Sequence, residues 1–169
     1  MNIINKLVNS VIYRLMSPNA YAKKVGVKYG KNCIFRTKYF GSEPYLIEIG
    51  NNVATSSNVH FVTHDGSLWV IRNLYENYKN ADSFGNIVIG DNVFIGINVT
   101  ILPKTKVGNN VIIGAGSIVR GELNSNSVYA GCPVKYICSL EQYLEKSKAN
   151  FLNTNHMNPL EKKMFLNKK

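Results

Sequence analysis

Residues 89–124 read IGDNVF IGINVT ILPKTK VGNNVI IGAGSI VRGELN, six hexapeptides in succession. An aliphatic side chain opens each unit (Ile89, Ile95, Ile101, Val107, Ile113, Val119), and four places on stands a small or apolar one (Val93, Val99, Thr105, Val111, Ser117, Leu123). Glycine fills the second slot of four of the six units. Six residues are too few for a helical-hairpin repeat or a propeller blade, and Gly-Asp-Asn or Gly-Asn-Asn at that interval breaks a helix. The pattern therefore predicts a short strand and a tight turn, repeated. The first-slot aliphatic points inward and the fifth-slot residue fills the space beside it. Gly or Asn takes the turn, where φ is positive. Three such sides close a triangular coil, and stacked coils align their Ile and Val side chains in ladders.

Outward from this run the frame weakens. Ile49-Gly-Asn-Asn-Val-Ala, followed by Thr55 and Phe61 in the first slot, fits it less well, and VKYGKNCIF at 27–35 less again. Roughly four coils are expected over residues 25–137, interrupted by an insertion at 65–86 that carries Trp69, Tyr75, Tyr78 and Phe84 among Asn, Asp and Lys. A connection of that length is uncommon in a compact domain and often functional. It either protrudes and packs against something else or folds its aromatics onto its own barrel.

The ends are not repeat. Ile3, Ile4, Leu7, Val8, Val11, Ile12 and Leu15 fall at helical spacing over residues 2–16, flanked by Ser17-Pro18, and predict an amphipathic helix able to rest on the open end of the coils. Peripheral contact with a membrane surface is the weaker use of that segment, since only Lys6 and Arg14 support it. SLEQYLEKSKANFL, opening on Ser139, predicts a second helix with Glu141 one residue short of an ideal capping box, and a basic tail follows to residue 169. The whole reads as a single domain: 1–18 helical, 25–137 coiled, 139–169 helix and tail.

Composition narrows the function classes. The 169 residues are 45% hydrophobic, enough for one core. Three cysteines without a CxxC pair indicate neither a disulfide framework nor a thiolate metal site. The formal charge of +10 is diffuse and carries no nucleic-acid-binding motif, so no nucleic-acid partner is expected; a polyphosphorylated cofactor would also suit such a surface. The N-terminal stretch lacks the apolar block and cleavage site of a signal peptide, and a cytoplasmic location is expected.

The [Ile/Val/Leu]-Gly-x-x-[Val/Ser/Thr]-x run resembles the hexapeptide repeat of acyltransferases built on a left-handed parallel β-helix. That resemblance implies a mainly β fold of this architecture; the handedness comes from the family, because the general rule for parallel crossovers favours the right-handed choice. FVTHDG at 61–66, where the repeat breaks into the aromatic loop, is similar to the context of the catalytic histidine in sugar O-acetyltransferases of the family. THDG with the following Trp69 is particularly similar to the branch that acetylates capsule, O-antigen and other surface polysaccharides. Transfer from a thioester to a hydroxyl needs a base near neutral pKa, and His64 is the candidate. Glu43 and Asp65 are the nearest carboxylates that could orient it or bind the acceptor, and Trp69 is a further acceptor-binding candidate. His60 is structural or acceptor-facing, and His156 lies in the polar tail.

By the same resemblance, acetyl-CoA is the acyl donor, with no metal. CoA lies along the groove between neighbouring β-helices of a homotrimer, at positions that match Ile97, Gly114 and Ala115. The closing segment VYAGCPVKYI at 128–137 resembles the family's terminal motif, with Gly131 and Pro133 turning the chain while Lys135 and Arg120 meet phosphates. A sugar or oligosaccharide acceptor is implied. The competing readings are N-acetylation of an amino-sugar nucleotide, a non-catalytic β-helix scaffold or binding protein, and a three-histidine zinc enzyme of the γ-carbonic anhydrase type. Serine acetyltransferase fits less well, since its large N-terminal helical domain has no counterpart here.

Overall fold

The computed structural model describes residues 13–168. The inward residues of the hexapeptides build its core. All twelve first- and fifth-slot side chains between Ile89 and Leu123 are buried, as are Ile49, Thr55 and Phe61 in the preceding coil. Strands β2 (Ile47–Ile49), β5 (Ile87–Ile89) and β6 (Val93–Ile95) alternate buried, exposed, buried, as a strand with one face inward must.

The coils form three sheets. The first stacks β1 (Lys28–Tyr29), β2, β5, β8 (Lys106–Val107) and β11 (Glu122–Leu123). The second stacks β3 (Ala54–Thr55), β6, β9 (Val111–Ile113) and β12 (Ser127–Ala130), and the third β4 (His60–Phe61), β7 (Thr100–Ile101) and β10 (Ile118–Val119). Pairing within each stack is parallel; β13 (Lys135–Ser139) alone folds back antiparallel on β12 and closes that sheet. Single bridges Ile34–Ala54 and Tyr39–His60 carry the second and third sheets one coil further toward the N-terminus. Ile89 pairs with Val107, one uninterrupted coil on, and Ile49 pairs with Ile89 on the neighbouring rung. The whole of 65–86 is therefore looped out between two adjacent coils without disturbing their stacking.

The turns hold Asn or Gly at positive φ as expected, Gly116 included, and the structure adds which slot does so. The second-slot glycines do not take the left-handed conformation; the fourth-slot residues do, at Asn52, Asn92, Asn98, Lys104 and Asn110, with φ between 55° and 64°. Asparagine tolerates that region because its short amide bonds locally. Here the amides form ladders between coils: Asn92 Nδ2 donates to Asn110 Oδ1 at 2.9 Å and Asn110 Nδ2 to Asn126 Oδ1 at 2.8 Å. The glycines are small for another reason. A Cβ on Gly96 would lie 2.6 Å from the backbone nitrogen of Ala115 in the next coil. Close stacking excludes the side chain, not the dihedral angle.

A helix closes the N-terminal end of the coils. The one expected over residues 2–16 lies outside the described residues as far as residue 12; residues 13–15 are helical. Ser17-Pro18, read as a flank, instead starts helix α1 (Pro18–Val25), with the Ser17 hydroxyl accepting from Ala20 N and Pro18 in the first turn. Ala22 of α1 is fully buried at the end of the core.

The insertion is partly helical, with α2 (Leu68–Leu74) and a 3₁₀ turn at Glu76–Tyr78. Its aromatics do not fold onto the barrel: Trp69 is 71% exposed and Tyr75, Tyr78 and Phe84 are exposed as well. Arg72 fixes the loop's return, donating to the Ala81 carbonyl at 2.6 Å and pairing with Asp82.

Beyond the last coil, Ser139 caps α3 (Leu140–Ser147) in a full capping box whose partner is Gln142. The box is thus complete rather than one residue short, because Gln142 and not Glu141 holds the N3 position. A last helix, α4 (Pro159–Asn167), starts at a second box between Asn158 and Glu161. Of the three thiols, Cys138 is buried, Cys33 half-buried and Cys132 exposed.

Candidate active site

His64 follows β4 at the corner where the third sheet turns into the first. It is the last residue before the insertion departs, and it bridges Phe84 where the loop returns. The turn at residues 41–43 of the preceding coil lies against it. Ser42 Oγ stands 2.8 Å from His64 Nδ1, and Glu43 Oε2 is 3.6 Å from the same nitrogen.

The proton positions follow from what each group can do. A carboxylate only accepts, and Glu43 Oε2 receives both the Ser42 hydroxyl at 2.9 Å and the Thr63 hydroxyl at 2.8 Å. With its single proton committed to Glu43, the Ser42 oxygen accepts from His64 Nδ1–H. Nε2 then carries the lone pair. Thr63 is buried and Glu43 half-buried, so the anchor of this chain is fixed by packing, while the imidazole side chain is 47% exposed. Ser42 was not among the residues singled out from sequence; no repeat slot marks it.

Asp65 is turned elsewhere. Its Oδ1 accepts from Ser67 N at 2.9 Å, and hydrogen bonds from Ser67 hold its carboxyl below the usual aspartate range. It shapes the start of the insertion, beside His64 along the chain. Trp69 stands exposed on α2.

His64 and Asp65 line a cleft of about 440 Å³ with Leu102, Pro103, Lys104 and Arg120. From the pairing of Phe61 with Ile101 and Ile101 with Val119, Lys104 lies one rung from His64 and Arg120 two rungs from the level of Val62. Rungs are about 4.8 Å apart, so the cations sit within about 10 Å of the imidazole along the coil axis. Neither forms an ion pair among the described residues.

The residues expected to hold CoA gather at another corner. Ile97, Ala115 and Gly131 stack in one column where the second sheet turns into the third: Gly116 N donates to the Ile97 carbonyl, and Ile118 N to that of Gly131. Gly114 precedes Ala115 in the same turn, its N–H bonded to Tyr129, and Lys135 pairs with Ala130 at the foot of the column. Gly116, at φ +69°, has nothing within 4 Å of where a Cβ would stand, so the backbone there is open to a close-lying ligand. Arg120 is the exception: it belongs to the His64 cleft. About five extended residues, roughly 16 Å, separate the two corners across the third sheet.

The bacterial transferase hexapeptide model of six repeats matches residues 86–121. Protein CapG of Staphylococcus aureus is 46% identical over 147 residues, which cover 85% of this chain and 84% of that protein. The chain belongs to the hexapeptide-repeat acetyltransferase family. Within that family, the putative lipopolysaccharide biosynthesis O-acetyl transferase WbbJ of Escherichia coli is 53% identical over 105 residues, 54% of this chain and 49% of its own length. A galactoside acetyltransferase solved in complex with coenzyme A shares the fold with a TM-score of 0.52 at 22% identity, covering 76% of this chain and 81% of that one. Among the described residues no helix is long and apolar enough to cross a membrane, and no three His, Cys, Asp or Glu side chains cluster as metal ligands would.

Proposed function

We propose that this family member is an acetyl-CoA-dependent O-acetyltransferase acting on a sugar hydroxyl in the assembly of a surface polysaccharide. Its coil would be wound left-handed, as in the family, and it would work by direct transfer with His64 as general base. One observation carries the base assignment: the Thr63–Glu43–Ser42 chain ends on Nδ1, so that in the neutral ring Nε2 is the nitrogen left to accept a proton. Nε2 takes the proton of the acceptor hydroxyl as its oxygen attacks the thioester carbonyl. Positive charge then develops on the ring, and Glu43, reached through Ser42, stabilises it. A coil N–H stabilises the oxyanion, and the imidazolium returns the proton to the departing thiolate.

The donor fits two features of the surface. Lys104 and Arg120 offer unpaired positive charge to CoA phosphates, and the Ile97–Ala115–Gly131 column offers open backbone to the pantetheine arm. Because these lie at opposite edges of the third sheet, one chain does not close a site around a single donor. A homotrimer would, each groove joining the His64 corner of one subunit to the glycine corner of the next. WbbJ is named for lipopolysaccharide biosynthesis and the neighbour solved with coenzyme A is a galactoside acetyltransferase, which supports a saccharide acceptor.

The test is release of CoA from acetyl-CoA in the presence of free sugars, amino sugars, nucleotide sugars and polysaccharide fragments, with products mapped by NMR. Acetyl ester on a sugar is expected. An acetamide product would move the reading to N-acetylation. Wild-type turnover in His64→Ala would overturn the mechanism.

A further inference from the structure

His64 is a wall shared by two clefts of different chemistry. The basic one lies toward the C-terminal coils. A second, of about 410 Å³, opens toward the N-terminal coil and is lined by Tyr13, Tyr21, Lys38, Tyr39, His60 and His64. Its size falls in the usual range for small-molecule sites, about 300–1,000 Å³.

The floor of this cleft is an aromatic stack. Tyr39 and His60 occupy neighbouring rungs of the third sheet, and their rings lie parallel, 4.3 Å between centroids and 5° between planes. Tyr39 remains 48% exposed. Tyr13 meets Tyr21 edge-on at 5.1 Å, and Lys38 lies over the Tyr13 ring while donating to its carbonyl.

The polar edges are also set. Asn58 Nδ2 donates to Asn98 Oδ1 at 2.7 Å, so Asn58 Oδ1 is the atom 2.9 Å from His60 Nε2. An amide oxygen only accepts, so in this contact His60 Nε2–H donates. Burial, then the neighbouring phenols Tyr39 and Tyr21, raises the pKa of Tyr13 and keeps it a neutral donor. A flat apolar stack rimmed by tyrosine hydroxyls matches a pyranose, which has a C–H face and an equator of hydroxyls.

We propose that the aromatic cleft is the acceptor subsite. A pyranose ring lies on the Tyr39–His60 stack with its reactive hydroxyl toward His64, while the acyl donor approaches from the basic cleft on the other side. This rests on the acetyl-transfer reading above and adds to it which face of His64 meets the acceptor, and through which residues. It gives His60, which takes no part in proton transfer, an acceptor-binding role.

The experiment is saturation-transfer NMR with a panel of methyl pyranosides (gluco, galacto, manno and N-acetylglucosamine forms) on the full chain without acetyl-CoA, beside steady-state kinetics. Transfer to ring protons is expected with at least one pyranoside. It is lost in Tyr39→Ala, retained in Tyr39→Phe, and retained in Arg120→Ala. In turnover, Tyr39→Ala and His60→Ala raise the acceptor KM by about five- to ten-fold, from the loss of one ring contact, with the acetyl-CoA KM unchanged. Unaltered melting temperatures separate this from unfolding, and Tyr39→Phe supplies a folded comparison if Tyr39→Ala is unstable. Absence of pyranoside signal from the wild type, signal that survives both alanine variants, or signal lost in Arg120→Ala would overturn the subsite. Tyr39-dependent binding without any acetyl transfer would uphold the subsite and overturn the acetyl-transfer reading.

Discussion

Replacing Glu43 with Gln keeps the side chain's shape and an oxygen that can accept from Ser42, and removes only the negative charge. In the native chain that charge stands 3.6 Å from His64 Nδ1. At an effective dielectric of about 20, two unit charges at this separation attract by about 4–5 kcal/mol. The imidazole is 47% exposed, and solvent screening brings the expected value to about 1–2 kcal/mol. This attraction is complete only when the ring is cationic, which in the proposed mechanism is after it has taken the acceptor's proton. The loss therefore falls on kcat, by about 5- to 30-fold, with both KM values within about two-fold. With His64 as the proposed base, His64→Ala is expected to cost about 10²–10⁴ in kcat. Ser42→Ala interrupts the same chain of hydrogen bonds, so the double variant Ser42→Ala/Glu43→Gln loses less than the product of the single losses. Thiol detection of released CoA at saturating acetyl-CoA measures each value, and melting temperatures control for folding. Wild-type kcat in Glu43→Gln, or strictly multiplicative losses in the double variant, would refute the proton ordering.

Other consequences are equally open to measurement. Asn110→Ala places an alanine at φ 56° and removes two inter-coil hydrogen bonds, for a loss of about 2–4 kcal/mol, or about 5–10 °C in Tm by calorimetry; Asn110→Gly, free of the backbone strain, loses less. Gly96→Ala would put a Cβ 2.6 Å from the Ala115 nitrogen of the next coil and costs about 1–3 kcal/mol in denaturant titration, whereas Gly66→Ala, with open space around it, stays within about 0.5 kcal/mol. If Arg120 meets a CoA phosphate as proposed, Arg120→Ala raises the acetyl-CoA KM by about ten-fold at low salt and by less at about 1 M salt, where screening would already weaken that contact. Hydrogen bonding to Ser139 lowers the pKa of Glu141; its contribution to α3 is thus present above the ordinary glutamate range and is lost as pH falls through the lowered value. Amide exchange protection over Leu140–Ser147 should fall with acidification, and less so in Glu141→Gln.

The sequence by itself determined the coil. Its inward positions repeat at a hexapeptide period, so whether each side chain is buried is a local property, readable without knowing what lies in the adjacent coil. The length of the insertion was legible too, as the place where the period stops and resumes. The helix starts were partly so. Ser139 is recognisable as a cap, but its box closes on Gln142 and not on the carboxylate beside it, and α1 was hidden because Ser17-Pro18 serves equally well to end one helix or begin another.

Only the tertiary structure decided which residues meet at the candidate site, and the reason is register between coils. Along the first sheet Tyr29 pairs with Ile49, Ile49 with Ile89, Ile89 with Val107 and Val107 with Leu123, so no fixed interval leads from one rung to the next. Ser42 reaches His64 through the irregular turn before Pro44, where no repeat slot sets the spacing. His64 and Arg120 share a cleft, while Ile97, Ala115 and Gly131 stand a sheet's width away. The period states which residues face in. Which outward residues become neighbours depends on how much chain each turn consumes, and that is settled when the coils stack.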